Sequence, residues 1–170
     1  MKKNTLYTIG LIIILAVLVI IFLGQKKKSG TASLDMNGAS HLCFEYKAPI
    51  TGEDGQELFN KENVEFSIAD DGQLTGTHVI APAQGSDSRA TLVGVTDNTF
   101  VNTIASVVVG EKTWKEQRVY KIDGDKLYIG YQSVDTPMEQ EGDILMYQDI
   151  QKIIFDTEEF FLNKVTCSNE

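Results

Sequence analysis

Between Leu6 and Leu23 every residue is apolar except Thr8, Gly10 and the amphipathic Tyr7. A helix rises ~1.5 Å per residue, so a run of this length covers most of a ~30 Å hydrocarbon core. In lipid a single span must satisfy its own backbone, which leaves the helix as the only option. The run predicts a short cytoplasmic tail over 1–5, a transmembrane signal-anchor over 6–24, a flexible linker over 25–39 and an extracytoplasmic β domain over 40–168. A cleaved signal peptide is the rival reading. Its apolar region normally covers about 7–15 residues and ends on small residues. Here the run is longer and is followed by Lys26, Lys27 and Lys28, with the small residues Gly30-Thr31-Ala32 well beyond them. No cysteine follows directly, so lipoprotein processing is not indicated, and no acid precedes Asp35, which disfavours a pilin-type helix. Lys2 and Lys3 on one side nearly balance the lysine triplet on the other, so the positive-inside rule alone does not orient the span.

Charge bounds the partners, and the cysteines supply the orientation, N-terminus inside and domain outside. The whole chain carries −9, but the first 28 residues hold five lysines and no acid, which leaves −14 on the remainder. Such a surface repels nucleic acid and anionic lipid heads. Nucleic acid is therefore not an expected partner. The membrane (a single N-terminal span), a small hydrophobic ligand or another envelope protein are. Cys43 and Cys167 are the two cysteines, one at each end of the folded region. Outside the cytoplasm such a pair invites a disulfide that closes nearly the whole domain. Two unrelated buried thiols are the alternative.

Alternation then predicts strands. Leu42, Phe44 and Tyr46 face one way on a first strand ended by Pro49, and Val64, Phe66 and Ile68 face one way on a second. Gln56 to Asn63 is expected to hold a short helical turn. Asp70-Asp71-Gly72, Asp97-Asn98, Gly110-Glu111 and Asp123-Gly124 are turn signals between Leu74–Ile80, Arg89–Thr96, Phe100–Val109, Thr113–Ile122 and Lys126–Gln132. Short turns pair successive strands antiparallel. Ser133 to Gly142 is expected to be a loop and Asp143 to Gln148 a strand. Asp149 to Cys167 suits either a helix or two short strands, and strands would bring Cys167 back beside Cys43. The resulting fold class is mainly β: an antiparallel meander β-barrel of about eight strands, with a β-sandwich as the alternative.

One strand carries the residues of most chemical interest. Alternation places Trp114, Glu116, Arg118, Tyr120 and Ile122 on one face. If the apolar ends face inward, the two charges do as well, and a buried charge needs a partner or a ligand. The competing reading puts this strand at an edge or a barrel mouth with both charges wet. His78 shares a face with Leu74 and Ile80 and suits a hydrogen-bonded structural role. His41 and Cys43 form H-x-C on a strand, which is two ligands short of a metal site. Glu53-Asp54 and Asp70-Asp71 lack calcium-loop spacing and read as solvated turns. No phosphate loop, dinucleotide fingerprint, nucleophile elbow or Cys-x-x-Cys occurs. No cofactor and no catalytic residue is therefore assigned.

The meander from Asp71 to Gln132, the strand Cys43-Phe44-Glu45-Tyr46 before it and the late Cys167 resemble membrane-anchored or secreted bacterial lipocalin-like β-barrel domains. Lipocalins proper carry Gly-x-Trp on the first strand, where this chain reads Gly38-Ala39-Ser40-His41-Leu42-Cys43. The resemblance thus transfers a barrel and no functional residues. The expectation is a barrel that binds a small apolar or amphipathic ligand lined by Trp114, Glu116, Arg118, Tyr120 and Tyr131. Thr75, Gly76, Thr77 and Gly94 suggest interior room. The alternative is a non-enzymatic interaction or structural protein of the cell envelope with a filled core.

Overall fold

The structure, a computed structural model, describes residues 40–97, 99–133 and 137–168. The expected tail, anchor and linker lie outside these residues. Seven strands follow one another: β1 (Ser40–Thr51), β2 (Glu57–Ile68), β3 (Gln73–Ala81), β4 (Ser88–Thr96), β5 (Phe100–Val109), β6 (Lys112–Asp123) and β7 (Lys126–Tyr131). Each pairs antiparallel with the next. The chain then makes β8 (Met138–Glu141), β9 (Ile144–Tyr147), a 3-10 turn (Ile150–Lys152), β10 (Ile154–Phe155) and β11 (Leu162–Val165). Strand β11 lies between β1 and β7, antiparallel to both, and closes an eight-stranded barrel.

The hairpin turns form where glycine supplies a positive φ. Gly110 and Gly124 sit at φ of +57° and +61° in the two-residue turns that open β6 and β7, the geometry that matches strand twist. Inside the barrel, alternate residues of every strand meet in one core. Leu42, Phe44, Val64, Phe66, Leu92, Val101, Val107, Tyr120, Leu127 and Leu162 are all buried in it. Rings bridge the lumen edge-to-face: Phe44 to Phe66 at 6.3 Å, Phe66 to Tyr120 at 5.3 Å and His78 to Tyr120 at 5.8 Å between centroids. An eight-stranded barrel is just wide enough for side chains to fill, and this aromatic chain crosses it as a floor.

Several local expectations are corrected. Gln56 to Asn63 holds no helical turn, because β2 starts at Glu57 and pairs with β1 up to Thr51. Pro49 does not end β1, which runs on to Thr51. Strand β11 reaches only Glu45, so β1 has an open edge at Pro49, where a missing N–H is tolerated. The segment 133–142 contains β8, and β9 pairs parallel with β6 at Lys115 and Glu116. The tail forms the two short strands β10 and β11, and Cys167 is bonded to Cys43 with 5.3 Å between their Cα atoms. Thr75 and Thr77 face solvent rather than lining interior space. Gly94 faces inward, yet a Cβ there would run into the Asn102 carbonyl and the Thr103 backbone. Its role is close strand approach, not a void.

Two predictions follow from this packing. Gly94→Ala should lower unfolding stability by roughly 1–3 kcal/mol, because backbone must move to admit the methyl group; urea denaturation measures it. Replacing Cys43 and Cys167 together by serine should cost about 3–5 kcal/mol, since the bridge spans 124 positions. An unchanged urea midpoint would show that the bridge does not restrain the unfolded chain.

Candidate functional site

The polar residues of the barrel interior form one connected chain. Strand β2 contributes Glu62, β3 contributes His78, and β6 contributes Trp114, Glu116, Arg118 and Tyr120. His78 Nε2 lies 2.6 Å from Glu62 Oε1. His78 Nδ1 receives Arg118 Nη1 at 2.8 Å and lies 3.0 Å from the Tyr120 hydroxyl. A guanidinium can only donate, so Nδ1 accepts and the imidazole proton sits on Nε2, donated to Glu62. Arg118 Nε donates to Glu116 Oε1 at 2.7 Å, and Trp114 Nε1 donates to Glu116 Oε2 at 2.7 Å. Both oxygens of Glu116 are thus occupied by residues of its own strand face, at positions i−2 and i+2.

Exposure rises along this chain. Tyr120 is fully buried and His78 is 2% exposed. The side chains of Arg118 and Glu116 are 14% and 21% exposed, and Trp114 reaches 37%. The network therefore climbs from the aromatic floor to one end of the barrel. Both readings of the strand were partly apt: the charges lie at a mouth, yet they are paired and mostly covered. Among the described residues no buried side-chain nitrogen or oxygen lacks a partner, so folding incurs no cost for an orphaned polar group here.

Burial lowers the pKa of His78, helped by the Arg118 charge and opposed by its hydrogen bond to Glu62. Burial pushes the Tyr120 hydroxyl far above its usual range, against the pull of Arg118. A neutral imidazole and a neutral phenol thus stand beside a guanidinium. The Glu62–His78–Tyr120 order resembles a relay, but Arg118 occupies the imidazole lone pair that a general base would use. The arrangement is suited to holding a polar group, not to taking a proton.

Four of the five expected ligand-lining residues are together: Trp114, Glu116, Arg118 and Tyr120. Tyr120 lies beneath the others as floor. Tyr131 continues the inward alternation of Leu127 and Ile129 toward the same end, where it is 45% exposed and pairs through its backbone with Ile154. Among the described residues no hydrogen bond joins its side chain to the network. Glu62 and His78 were not foreseen as site residues. Alternation does place His78 inward, and the parity of Val64 and Phe66 places Glu62 inward too once β2 is known to start at Glu57.

Protonating His78 would put a second proton donor against Arg118. Its folded pKa lies below the unfolded value, so the unfolded state binds the proton first as pH falls. The contribution of His78 to stability is therefore complete above ~6.5 and is lost as pH falls from there toward the folded pKa. The urea midpoint should fall between pH 7.5 and 5, with a shallower slope in His78→Gln. Equal slopes would place the imidazole's protonation elsewhere. No protein-family model, no curated protein and no solved structure matches this chain.

Proposed function

We propose that this protein is a membrane-anchored binding module whose β-barrel stands outside the cytoplasm and takes a small amphipathic ligand at the Trp114 end. The carrying observation is the graded polar network, which begins on a sealed floor at Tyr120 and ends on a half-open indole. A ligand's polar head would meet Arg118 and Glu116, and its apolar part would lie on Trp114 and Tyr131. The packed core excludes a ligand threaded through the barrel, so the binding site is a shallow one at the rim. Glu62 and Glu116 set two carboxyl groups against the one guanidinium of Arg118, which favours a head group rich in hydrogen-bond donors or carrying positive charge. An indole face suits the same class through cation–π attraction. The apolar run at 6–23 supports the anchor, and a bridge between the only two cysteines supports an oxidising compartment.

A second reading has its own support. The filled core below the rim equally suits an envelope interaction protein that binds a neighbour through its surface. Native mass spectrometry on chain taken gently from its own membrane separates the two. The binding module predicts an added mass that leaves on denaturation. It also predicts that Glu116→Gln loses most of it while the bridge remains intact. A bare chain, with quenching of Trp114 fluorescence by no amphipathic amine or polyol, would favour the interaction protein.

A further inference from the structure

On the outer face of the barrel, away from the polar network, the bridge lies beside a histidine and a carboxylate. Cys43 stands on β1, Cys167 follows the end of β11, and β1 and β11 are hydrogen-bonded neighbours. The two sulfurs and a ring nitrogen of His41 lie within 4.8 Å of one another. Residues 41 and 43 share the outward face of one strand, so their closeness is fixed by the β1 backbone. Across the ladder, Glu65 is opposite Cys43, and its Oε1 lies 2.5 Å from His41 Nε2. The cluster opens to solvent: the His41 and Glu65 side chains are 46% and 50% exposed, and a hollow of about 700 Å³ runs past His41 and Cys167.

We propose that the reduced domain holds one thiophilic divalent cation of the zinc class on Cys43, Cys167 and His41, with Glu65 orienting the imidazole. The reasoning is chemical. Two thiolates and an imidazole are the soft donor set that selects such ions, and three protein ligands leave a fourth position for water. Metal-bound histidines characteristically give their other ring N–H to a carboxylate; Glu65 holds His41 Nε2, which leaves Nδ1 for the ion. A separation of 5.3 Å between the cysteine Cα atoms leaves the sulfurs free to part around an ion by side-chain rotation, since Cys167 lies beyond the last strand.

Bridge and ion exclude each other. In the bridged domain both sulfurs are bonded to one another and offer no thiolate. A dithiol reductant opens the site: one of its thiolates attacks a bridge sulfur, the mixed disulfide resolves, and the reductant leaves as a cyclic disulfide. Two electrons pass to the protein, which gains two thiols. The entering ion then displaces one proton from each thiol. The site therefore exists before the domain is oxidised, or wherever such a dithiol reaches it. It does not depend on the ligand proposed at the Trp114 end.

The test uses the full chain in mild detergent, reduced with a phosphine and titrated with Co²⁺ and then Zn²⁺. The expected result is one equivalent of tightly bound Co²⁺, with thiolate charge-transfer absorption and the intense visible bands of a tetrahedral ion, displaced by one equivalent of Zn²⁺. The bridged chain should show neither. His41→Ala should weaken binding by more than the roughly 10- to 100-fold that losing an outer partner costs, and Glu65→Gln by about tenfold. Bound Zn²⁺ should also slow reoxidation of the bridge. The proposal is overturned by unchanged affinity in His41→Ala, by binding to the bridged chain or by absence of the thiolate band. Near-UV dichroism of Trp114 follows the fold in the same samples. A reduced chain that loses this signal and binds no ion overturns it too, because the site needs β1 and the segment after β11 held together.

Discussion

The barrel depends on a short seam. Six of its eight neighbour relations come from the meander β1 to β7, which local turns make almost automatic, and the remaining two are both made by β11. Closure rests on β11, a strand of four residues that must reach both β1 and β7. Its pairings are few: Cys43 to Glu45 on one side, Leu127 and Lys126 on the other. Two things compensate. Leu162 is fully buried at the seam, and the Cys43–Cys167 bridge ties the end of β11 back to β1. Without closure, β1 and β7 would each expose a hydrogen-bonding edge. A small core gains much from a covalent tie whose restraint on the unfolded chain grows, slowly, with the logarithm of the loop it closes.

A second constraint arises where β6 parts from β7. Pairing between them covers Tyr120 to Asp123, and beyond it β6 takes β9 as a parallel neighbour at Lys115 and Glu116. The excursion β8–β10 is held against the outer wall by a small apolar cluster of Val119, Tyr147 and Ile153. Gln117 fastens it, accepting from the Tyr147 N–H at 3.0 Å and donating to Asn102 at 2.8 Å. Gly130 leaves the room that Ile153 fills. Strand β6 is therefore covered on its outer side, while its inner side carries the polar chain from Trp114 to Tyr120. The divergence of β6 from β7 is the reason that the network has an open end.

Much of this was legible in the residues. Turn glycines and alternation define the seven-strand meander, and the alternation on β6 already groups Trp114, Glu116, Arg118 and Tyr120. The cysteine positions imply the bridge. Other features depended on long-range pairing, which no local pattern encodes. The parallel β9 is four residues long and gains its identity only from the neighbour it meets. Glu57 to Asn63 has polar composition and weak local preference, and the ladder with β1 decides its conformation. Gly94 reads as space but serves close approach, a distinction that lies in the neighbouring backbone rather than in the glycine.

The composition of the network also explains why it survives inside a barrel that could have been apolar throughout. His78 and Tyr120 are held neutral by burial, so the charged members lie nearer the mouth, where water still screens them. Arg118 is the hinge of this arrangement. It reaches down to His78 and up to Glu116, and replacing it by an apolar residue would remove one donor from each, leaving Tyr120 at His78 and Trp114 at Glu116. In the binding module proposed above, one guanidinium between a neutral floor and a solvent-facing carboxylate would meet a polar head group with groups already fixed in position.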